Sequence, residues 1–370
     1  MSLPGIHPAP AATAGASGAL ATAVDRVFGA ISLALLLSIA VTLPILQLFA
    51  LGVLLRAAAR VAQTGRLRDA FAGVPEASRL GQSALALWLL AAPSRFFGSL
   101  RDDAALLDPG GPAARRLGAL AIAAAVAATA IALLGLYQGG RLGDYPRPLR
   151  GLRRLAADLR ADGFLARIWA RLRDFTGAFA VKKSLWLGLR GYIGAGAWLL
   201  IPSTLLAVGR QSPLPLVGGA LLAAVVVRVP FLQIHFAVHD DIDRMFDARG
   251  EMDLFARAPL SFFVALAATL LLALPLYLLK VELVPRDALW LPAAVFMITI
   301  FPVKMLTAWA YHRAARRAAP AHPALQWLAR LLMAPVAILY AFIVFLTPLT
   351  GWHGLLGLYE HHAFLLPVPF

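Results

Sequence analysis

The sequence predicts an all-α, polytopic transmembrane helix bundle of about eight spans, with basic amphipathic helices at the membrane interface. Hydrophobic residues form 60% of the 370-residue chain and charged residues only 14%, and the apolar residues collect in runs long enough to cross a bilayer. A soluble globular domain has about 45–50% apolar and about 25% charged residues, so that class is excluded. Intrinsic disorder is excluded as well, because it requires low hydrophobicity and high net charge.

Runs with at most one charge mark the spans, since a spanning helix needs about 20 mainly apolar residues. They predict spans at 27–55, 80–100, 117–140, 191–209, 214–236, 258–279, 288–311 and 331–350. The first run is too long for a bilayer core of about 30 Å. Proline removes a helix hydrogen bond, so we expect this span to break near Pro44 and to continue as a helix along the inner interface towards Arg60.

The distribution of lysine and arginine predicts the orientation, because cytoplasmic segments retain these residues. Counts in successive connecting segments alternate between low and high, with 25 basic residues on one face and 7 on the other. Eight spans therefore put both termini outside, and the net charge of +15 needs no nucleic-acid partner. The 30 arginines against 4 lysines indicate a high-GC bacterium, hence its inner membrane. We expect one membrane domain over 1–370, with four spans in 27–209 and four in 210–370.

The basic segment 141–190 lies inside in this orientation and carries 12 lysines and arginines. One helical face of it carries three leucines, Leu152, Leu155 and Leu159, and a second apolar repeat follows over 165–175. Apolar stripes beside arginines predict two amphipathic helices that bind anionic lipid head groups through residues 150–175. Docking of an acidic protein partner is the alternative, and nucleic acid is the least favoured partner.

Arg95, Arg228 and Lys304 are candidate binding residues, because charges inside a membrane are costly and often functional. Each lies roughly 22 Å along a core of about 30 Å, close enough to an interface for a long side chain to snorkel. Snorkelling is therefore the expectation for all three side chains. A structural ion pair and a role in transport are the alternatives.

His235 and His239 are further candidates for binding. Together with Asp243 they recur at i, i+4 and i+8, which places two imidazoles and a carboxylate on one face of a helix. Such a face can form the edge of a metal site. An ordinary charged helix end has the same pattern, so we expect no metal here. A second histidine cluster, within 353–362, lies on the opposite membrane face in the predicted topology and is expected to be a solvated tail.

Motifs for common catalytic chemistries are missing. The sequence has no cysteine, no Gly-Lys dipeptide for a Walker A loop, and no HExxH, GxSxG or GxGxxG pattern. We therefore expect no cofactor and no catalytic residue.

Two other features concern the spans themselves. Small-residue pairs predict close helix packing at Gly135/Gly139, Gly191/Ala195 and Gly219/Ala223. Prolines recur within spans, as in the discontinuous helices of transporters, but proline is also common in ordinary membrane helices, which is the expectation here.

Two stretches carry a family resemblance: LPILQLFALGVLLRAAARVAQTGRLRDAF at 43–71, and LPLYLLKVELVPRDALWLPAAVF at 274–296 with the C-terminal LYEHHAFLLPVPF. They resemble a bacterial family of multi-pass membrane proteins catalogued as a domain of unknown function. The first stretch is similar in its span, glycine, basic helix and glycine turn, although Val53 stands where an aromatic residue is expected. The resemblance implies an inner-membrane location and transfers no catalytic residue.

The function predicted from these features is that of a non-enzymatic integral membrane protein, either permease-like or a membrane scaffold component. The alternative is a membrane-embedded enzyme acting on a lipid or isoprenoid-linked substrate at the cytoplasmic interface. Such an enzyme would gather Arg228, His235 and His239 in one pocket. A polar cavity inside the membrane would instead favour transport.

Overall fold

The structure of the protein is a computed structural model that describes residues 16–71, 73–160, 163–166, 168–170, 180–208, 212–281, 290–350 and 354–360. Within these ranges the regular structure is helical, and no strand is present. The predicted all-α fold class is confirmed.

The described residues form twelve α-helices. They are α1 (Ala16–Val41), α2 (Pro44–Thr64), α3 (Val74–Leu107), α4 (Pro112–Gln138), α5 (Pro148–Arg160), α6 (Val181–Val208), α7 (Leu214–His239), α8 (Ala248–Arg257), α9 (Pro259–Val281), α10 (Trp290–Ala315), α11 (Pro323–Thr350) and α12 (Gly357–Glu360). Short 3₁₀ turns lie at Leu67–Phe71, Leu142–Asp144, Ile242–Met245 and Gly354–Leu356.

Eight helices in the described ranges are long and apolar enough to cross a membrane, namely α1, α2, α3, α4, α6, α7, α10 and α11. The number equals the prediction, but the helices do not correspond one to one. The predicted first span is divided between α1 and α2. The predicted sixth span is α9, which passes the same test only together with α8. These two helices are bent against each other by 107°. If the bent pair is counted as one span, the described residues contain nine candidate spans.

The chain breaks at Thr42 and Leu43, so the predicted break near Pro44 is confirmed. The expected course after it is wrong. Leu51, Leu54 and Leu55 are fully buried, which makes α2 a core helix of the bundle and not a helix on the inner interface. A helix that lies along the interface exposes one face to lipid head groups. These leucines are instead covered by other helices, and that burial stabilises the bundle.

The other prolines do not interrupt their helices. The helices α6, α7, α10 and α11 run through Pro202, Pro230, Pro302 and Pro335 without a gap in their assignment. Neighbouring helices can satisfy the backbone carbonyl that such a proline leaves free. The expectation that these prolines are ordinary residues of membrane helices agrees with these continuous helices, and the break is at Pro44, where it was predicted.

The chain forms two compact units. The first contains α1 as far as Leu33, together with α3, α4 and α5. Within it α3 packs along α4, and Ser78 on α3 donates a hydrogen bond of 2.6 Å to Asp25 on α1. Gly135 on α4 leaves room for the ring of Tyr145, which a Cβ at this glycine would meet at 2.4 Å. The predicted small position at Gly135 thus packs against a side chain of a following turn and not against another span.

Within the first unit, α5 is a basic amphipathic helix, as predicted. Its leucines at 149, 152 and 159 are exposed, while Gly151 is buried against Leu134 and Gln138 of α4. A hydrogen bond from Tyr137 to Asp158 ties the two helices together. The predicted second amphipathic helix, 165–175, extends into residues outside the described ranges.

The second unit contains the described residues of Ala34–Gly73 and Arg167–Phe370, with α2 at its centre. Helix α2 packs on α6, α7 and α10. Its closest approach is to α6, where a Cβ on Gly52 would lie 1.7 Å from the Ser184 carbonyl oxygen and one on Gly188 would lie 1.8 Å from the Leu48 carbonyl oxygen. Only glycine permits backbones to approach so closely.

Helix α7 packs between α6 and α11. The predicted small position at Gly219 has no neighbour within 4 Å, whereas a Cβ on Gly218 would lie 2.9–3.0 Å from α6 backbone atoms. The small-residue spacing therefore predicted close packing on the correct helix, but the glycine in contact is Gly218 and not Gly219. On another face of α7, Phe231 stacks on Phe262 of α9 with ring centroids 3.9 Å apart.

Candidate functional site

Four polar residues of α7 carry the candidate site of the second unit. Arg228, Gln233, His235 and His239 lie on the half of this helix that leads to its C-terminal end. Gln233 and His235 are buried, Arg228 is partly buried, and His239 is exposed at the helix end. Buried polar groups in an apolar bundle need partners, because each unsatisfied one costs free energy. The partners of the buried ones come from the N-terminal cap of α8 and from α10.

Lys304 of α10 is the partner of Gln233. Its ammonium donates a hydrogen bond to the Gln233 side-chain oxygen, and the lysine is only 2% exposed. The expectation that Lys304 snorkels is wrong, because its side chain is buried between α10 and α7, where the ammonium is bonded to Gln233. The contact is a buried hydrogen bond from an ammonium to an amide, which resembles the structural pair that was the alternative.

His235 forms the next polar contact towards the helix end. A hydrogen bond of 2.8 Å joins its Nδ1 to the hydroxyl of Tyr311 on α10, and its Nε2 lies 3.5 Å from the carboxylate of Asp247. Asp247 caps the N-terminus of α8 by accepting a hydrogen bond from the Gly250 N–H. That bond, followed by one from Arg244, lowers the pKa of the Asp247 carboxyl. The imidazole is thus held between a hydroxyl and a carboxylate.

A cleft of about 530 Å³ opens beside the next turn of α8. Arg228 of α7, Glu251 of α8 and Arg330 of α11 line it. Its remaining walls are apolar and come from Ala223, Ala224, Val227, Met252, Phe255, Met333, Ala334, Ala337 and Ile338. Arg330 is held over the rings of Phe255 and Trp327, at 5.5 and 5.7 Å from their centroids. The cleft therefore combines two cations, one carboxyl and an apolar surface.

Sequence reasoning missed two residues of this site, Glu251 and Arg330. Glu251 is 4% exposed, and burial raises its pKa to about 7, although Arg228 acts in the opposite direction. In the sequence it is one of several acidic residues in a charged segment between two spans, and nothing marks it as buried. Arg330 was missed for a similar reason, because it lies near the start of an apolar run, 102 positions after Arg228.

His239 lines a separate pocket of about 520 Å³ at the C-terminal ends of α2, α7 and α10. His312 and Arg316 lie in the same pocket. His239 donates from Nδ1 to the His235 carbonyl oxygen at 2.9 Å, and His312 donates from Nδ1 to the Ala62 carbonyl oxygen at 2.8 Å. Both imidazoles are thereby fixed by the backbone.

The metal-binding hypothesis required a helix that continues through Asp243. Instead α7 ends at His239, Asp240 adopts a left-handed conformation with φ of 55°, and Asp243 lies in the following 3₁₀ turn. The three residues therefore do not share a helical face. Across the described ranges, no three histidine, aspartate or glutamate side chains are grouped so as to hold a metal ion.

The two remaining predicted positions lie elsewhere. Arg95 is exposed on α3 in the first unit, beside Ser94 and Thr129. In the C-terminal histidine cluster, Glu360 ends α12, and His353, His361 and His362 lie outside the described ranges.

Comparison with known proteins adds no relative. No family model matches the chain, and no curated protein or solved structure shows significant similarity to it.

Proposed function

We propose that this chain is a non-enzymatic, permease-like membrane protein whose second unit binds an anionic amphiphile. The observation that carries the proposal is the cleft at Arg228, Glu251 and Arg330. Arg228 is partly buried and Arg330 is exposed along the cleft. Arginine side chains next to apolar spans are costly, and their usual role is to hold an anion or to line a pathway. The two arginines approach the cleft from different helices, α7 and α11, and neither forms an ion pair with an acidic side chain within the described ranges.

The walls of the cleft favour an amphiphile over a small inorganic anion. Val227, Met333, Ala337 and Ile338 provide an apolar surface next to the cations. A phosphate, sulfonate or carboxylate head group would lie between the guanidinium groups, and its alkyl chain would remain in contact with this surface. The volume of the cleft falls in the range of about 300–1,000 Å³ that is typical of small-molecule sites.

The depth of the cleft agrees with entry from one leaflet. Arg228 lies 11 residues, or about 16 Å, from the C-terminal end of α7, and Arg330 lies seven residues, or about 10 Å, from the start of α11. Both helix ends belong to segments that the charge distribution predicts to be cytoplasmic. We therefore propose that the amphiphile enters sideways from the inner leaflet.

The alternative, an enzyme acting on a lipid or isoprenoid-linked substrate, receives less support. It would need Arg228, His235 and His239 around one substrate. His235 is engaged by Tyr311 and Asp247, and His239 lines the other pocket. A scaffold role would give no reason for an arginine-lined cleft.

The proposed setting is the cytoplasmic membrane of a bacterium, with the basic segments inside and both termini outside. In this orientation α5 lies on the inner leaflet. Its exposed leucines would enter the head-group region, and its arginines would attract anionic lipid, each contributing about 1 kcal/mol near the surface. None of the described residues of the first unit covers these leucines, which supports lipid over an acidic protein.

Equilibrium binding to the full-length protein in nanodiscs of neutral lipid tests the proposal. Three probes are compared: decanesulfonate, methanesulfonate with the head group alone, and decanol with the chain alone. Binding to empty nanodiscs is subtracted. We expect only decanesulfonate to bind at micromolar concentration, and Arg330→Gln to weaken it roughly ten- to hundredfold, as the loss of a charged hydrogen bond predicts.

The matched control is Arg313→Gln, which removes an exposed arginine of α10 that lies over Trp309, outside the cleft. It should bind decanesulfonate like the unmodified protein. Equal binding of methanesulfonate would replace the amphiphile with a small anion. Unchanged binding in Arg330→Gln would remove the cleft as the site.

A further inference from the structure

Glu251 is the acidic residue among those that line the cleft, and its environment is unusual for a carboxylate. The side chain is more than nine-tenths buried. No donor of the described residues lies within hydrogen-bonding distance of its carboxyl oxygens, although its own backbone N–H donates to Asp247. A buried carboxylate without donors is strongly disfavoured relative to a neutral carboxylic acid.

The charged groups around Glu251 come from three neighbouring elements. Arg228 faces it from α7 and favours the ionised form, and Arg330 lines the same cleft from α11. Asp247 precedes Glu251 by one helical turn, at the N-terminal cap of α8. Its carboxylate contacts Arg244, the Gly250 N–H and His235.

Helix α10 also packs on α8, and its titratable groups are bound elsewhere. Lys304 donates to Gln233, Tyr311 bonds with His235, His312 donates to Ala62, and Arg313 lies over Trp309. Arg257, at the end of α8, donates to the Arg317 carbonyl oxygen. The position of the proton on Glu251 is therefore decided within the cleft, by burial, by Arg228 and by whatever anion lies there.

We propose that Glu251 is a proton-binding residue of the carrier, so that the anionic amphiphile binds together with one proton. This inference rests on the proposed function. The neutral carboxyl donates a hydrogen bond to the head group, while the two guanidinium groups neutralise its charge. When Glu251 is ionised, its carboxylate competes with the head group for the arginines and repels it. The proton comes from the aqueous phase and returns there when the anion leaves.

The raised pKa of Glu251, about 7, supports this coupling, because the residue then titrates near neutral pH. A site that requires the protonated form should bind decanesulfonate about tenfold more weakly at pH 8 than at pH 6. Decanesulfonate is a suitable probe, since its own charge does not change over this range. At pH 8 nearly one proton should be taken up for each decanesulfonate bound.

The experiment measures decanesulfonate affinity at pH 6 and pH 8 in nanodiscs, and proton uptake in weak buffer with an indicator dye. Glu251→Gln mimics the neutral form, so it should bind with the affinity of the unmodified protein at pH 6 and lose both the pH dependence and the uptake. His322→Gln, an exposed histidine at the start of α11, controls for titrating imidazoles and should keep both.

Proton uptake by the unmodified protein needs no variant, so a poorly folded Glu251→Gln protein does not prevent the test. Binding that is independent of pH and takes up no proton overturns the inference and leaves the proposed function standing. Retention of the full pH dependence in folded Glu251→Gln also overturns it. Absence of decanesulfonate binding at both pH values overturns both proposals.

Discussion

Burying the ammonium of Lys304 removes it from water, and the Gln233 side-chain oxygen supplies only part of the lost hydration. Breaking such a contact from one side leaves a buried charge without its acceptor, which is more destabilising than removing both groups. The pair therefore ties α7 to α10, and its two residues should not behave independently on mutation.

We expect Gln233→Leu to lower the free energy of unfolding by about 2–3 kcal/mol, since the ammonium loses a charge-assisted hydrogen bond. The double variant Gln233→Leu/Lys304→Met should recover most of this loss, because two apolar groups replace the polar pair. Thermal unfolding in detergent provides the measurement, and Gln63→Leu at the exposed end of α2 is the control. Additive losses in the double variant would contradict the pairing.

Glu251 makes stability depend on pH with a definite sign. Its pKa in the folded protein is raised from 4.5 to about 7, so the folded state retains a proton that the unfolded chain has released between these values. The free energy of unfolding falls as the pH rises through this window, by about 3 kcal/mol in total. Above pH 7 the full penalty is present.

Glu251→Gln removes that penalty. We expect the variant to unfold at a higher temperature than the unmodified protein at pH 8, and at nearly the same temperature at pH 4.5. Scanning calorimetry of the ligand-free proteins at both pH values measures the difference. A gain of equal size at pH 4.5 and pH 8 would mean that the substitution acts through packing and not through the carboxyl charge.

At the scale of helices, hydropathy located the spans because bilayer thickness sets the length of an apolar run. It did not reveal that 27–55 contains parts of two helices, since charge-free residues continue through the break at Thr42 and Leu43. The residues that share the cleft with Arg228 could not be predicted from the sequence either. Glu251 and Arg330 lie on helices that follow α7 in the sequence. Their position beside Arg228 depends on the bend of 107° between α8 and α9, which the sequence does not show.

The contact of α2 with α6 was equally hidden, because Gly52 and Gly188 belong to different segments and form no motif within either one. At Gly188 an added Cβ would lie 1.8 Å from a carbonyl oxygen, whereas at Gly196 on the same helix nothing lies within 4 Å. The two glycines therefore form a matched pair of test positions.

Gly188→Ala should prevent close approach of the two helices and greatly reduce the yield of folded protein, or lower its unfolding temperature by many degrees. Gly196→Ala should be neutral or stabilising by up to about 1 kcal/mol, as the higher helix propensity of alanine predicts. Size-exclusion profiles and thermal unfolding in detergent report both effects. Equal behaviour of the two variants would argue against backbone contact at Gly188.

For the whole molecule, the orientation in the membrane follows from the charge distribution and not from the helices themselves. The apolar windows identify which helices can cross, but only lysine and arginine assign a side. The proposed entry of an anion from the inner leaflet depends on this assignment, because it places the near ends of α7 and α11 inside. Orientation is thus the prediction on which the proposed route of entry rests most directly.

The absence of native cysteine makes the orientation measurable with single cysteines and a membrane-impermeant thiol reagent. Arg160→Cys, at the end of α5, should react only from the cytoplasmic side, and Ser212→Cys, between α6 and α7, only from the outside. Ser17→Cys on α1 should also react from the outside if α1 and α2 act as one crossing. Its reaction from the inside would mean that each of them crosses. Labelling of residues 160 and 212 from the same side would refute the proposed orientation and, with it, entry of the amphiphile from the inner leaflet.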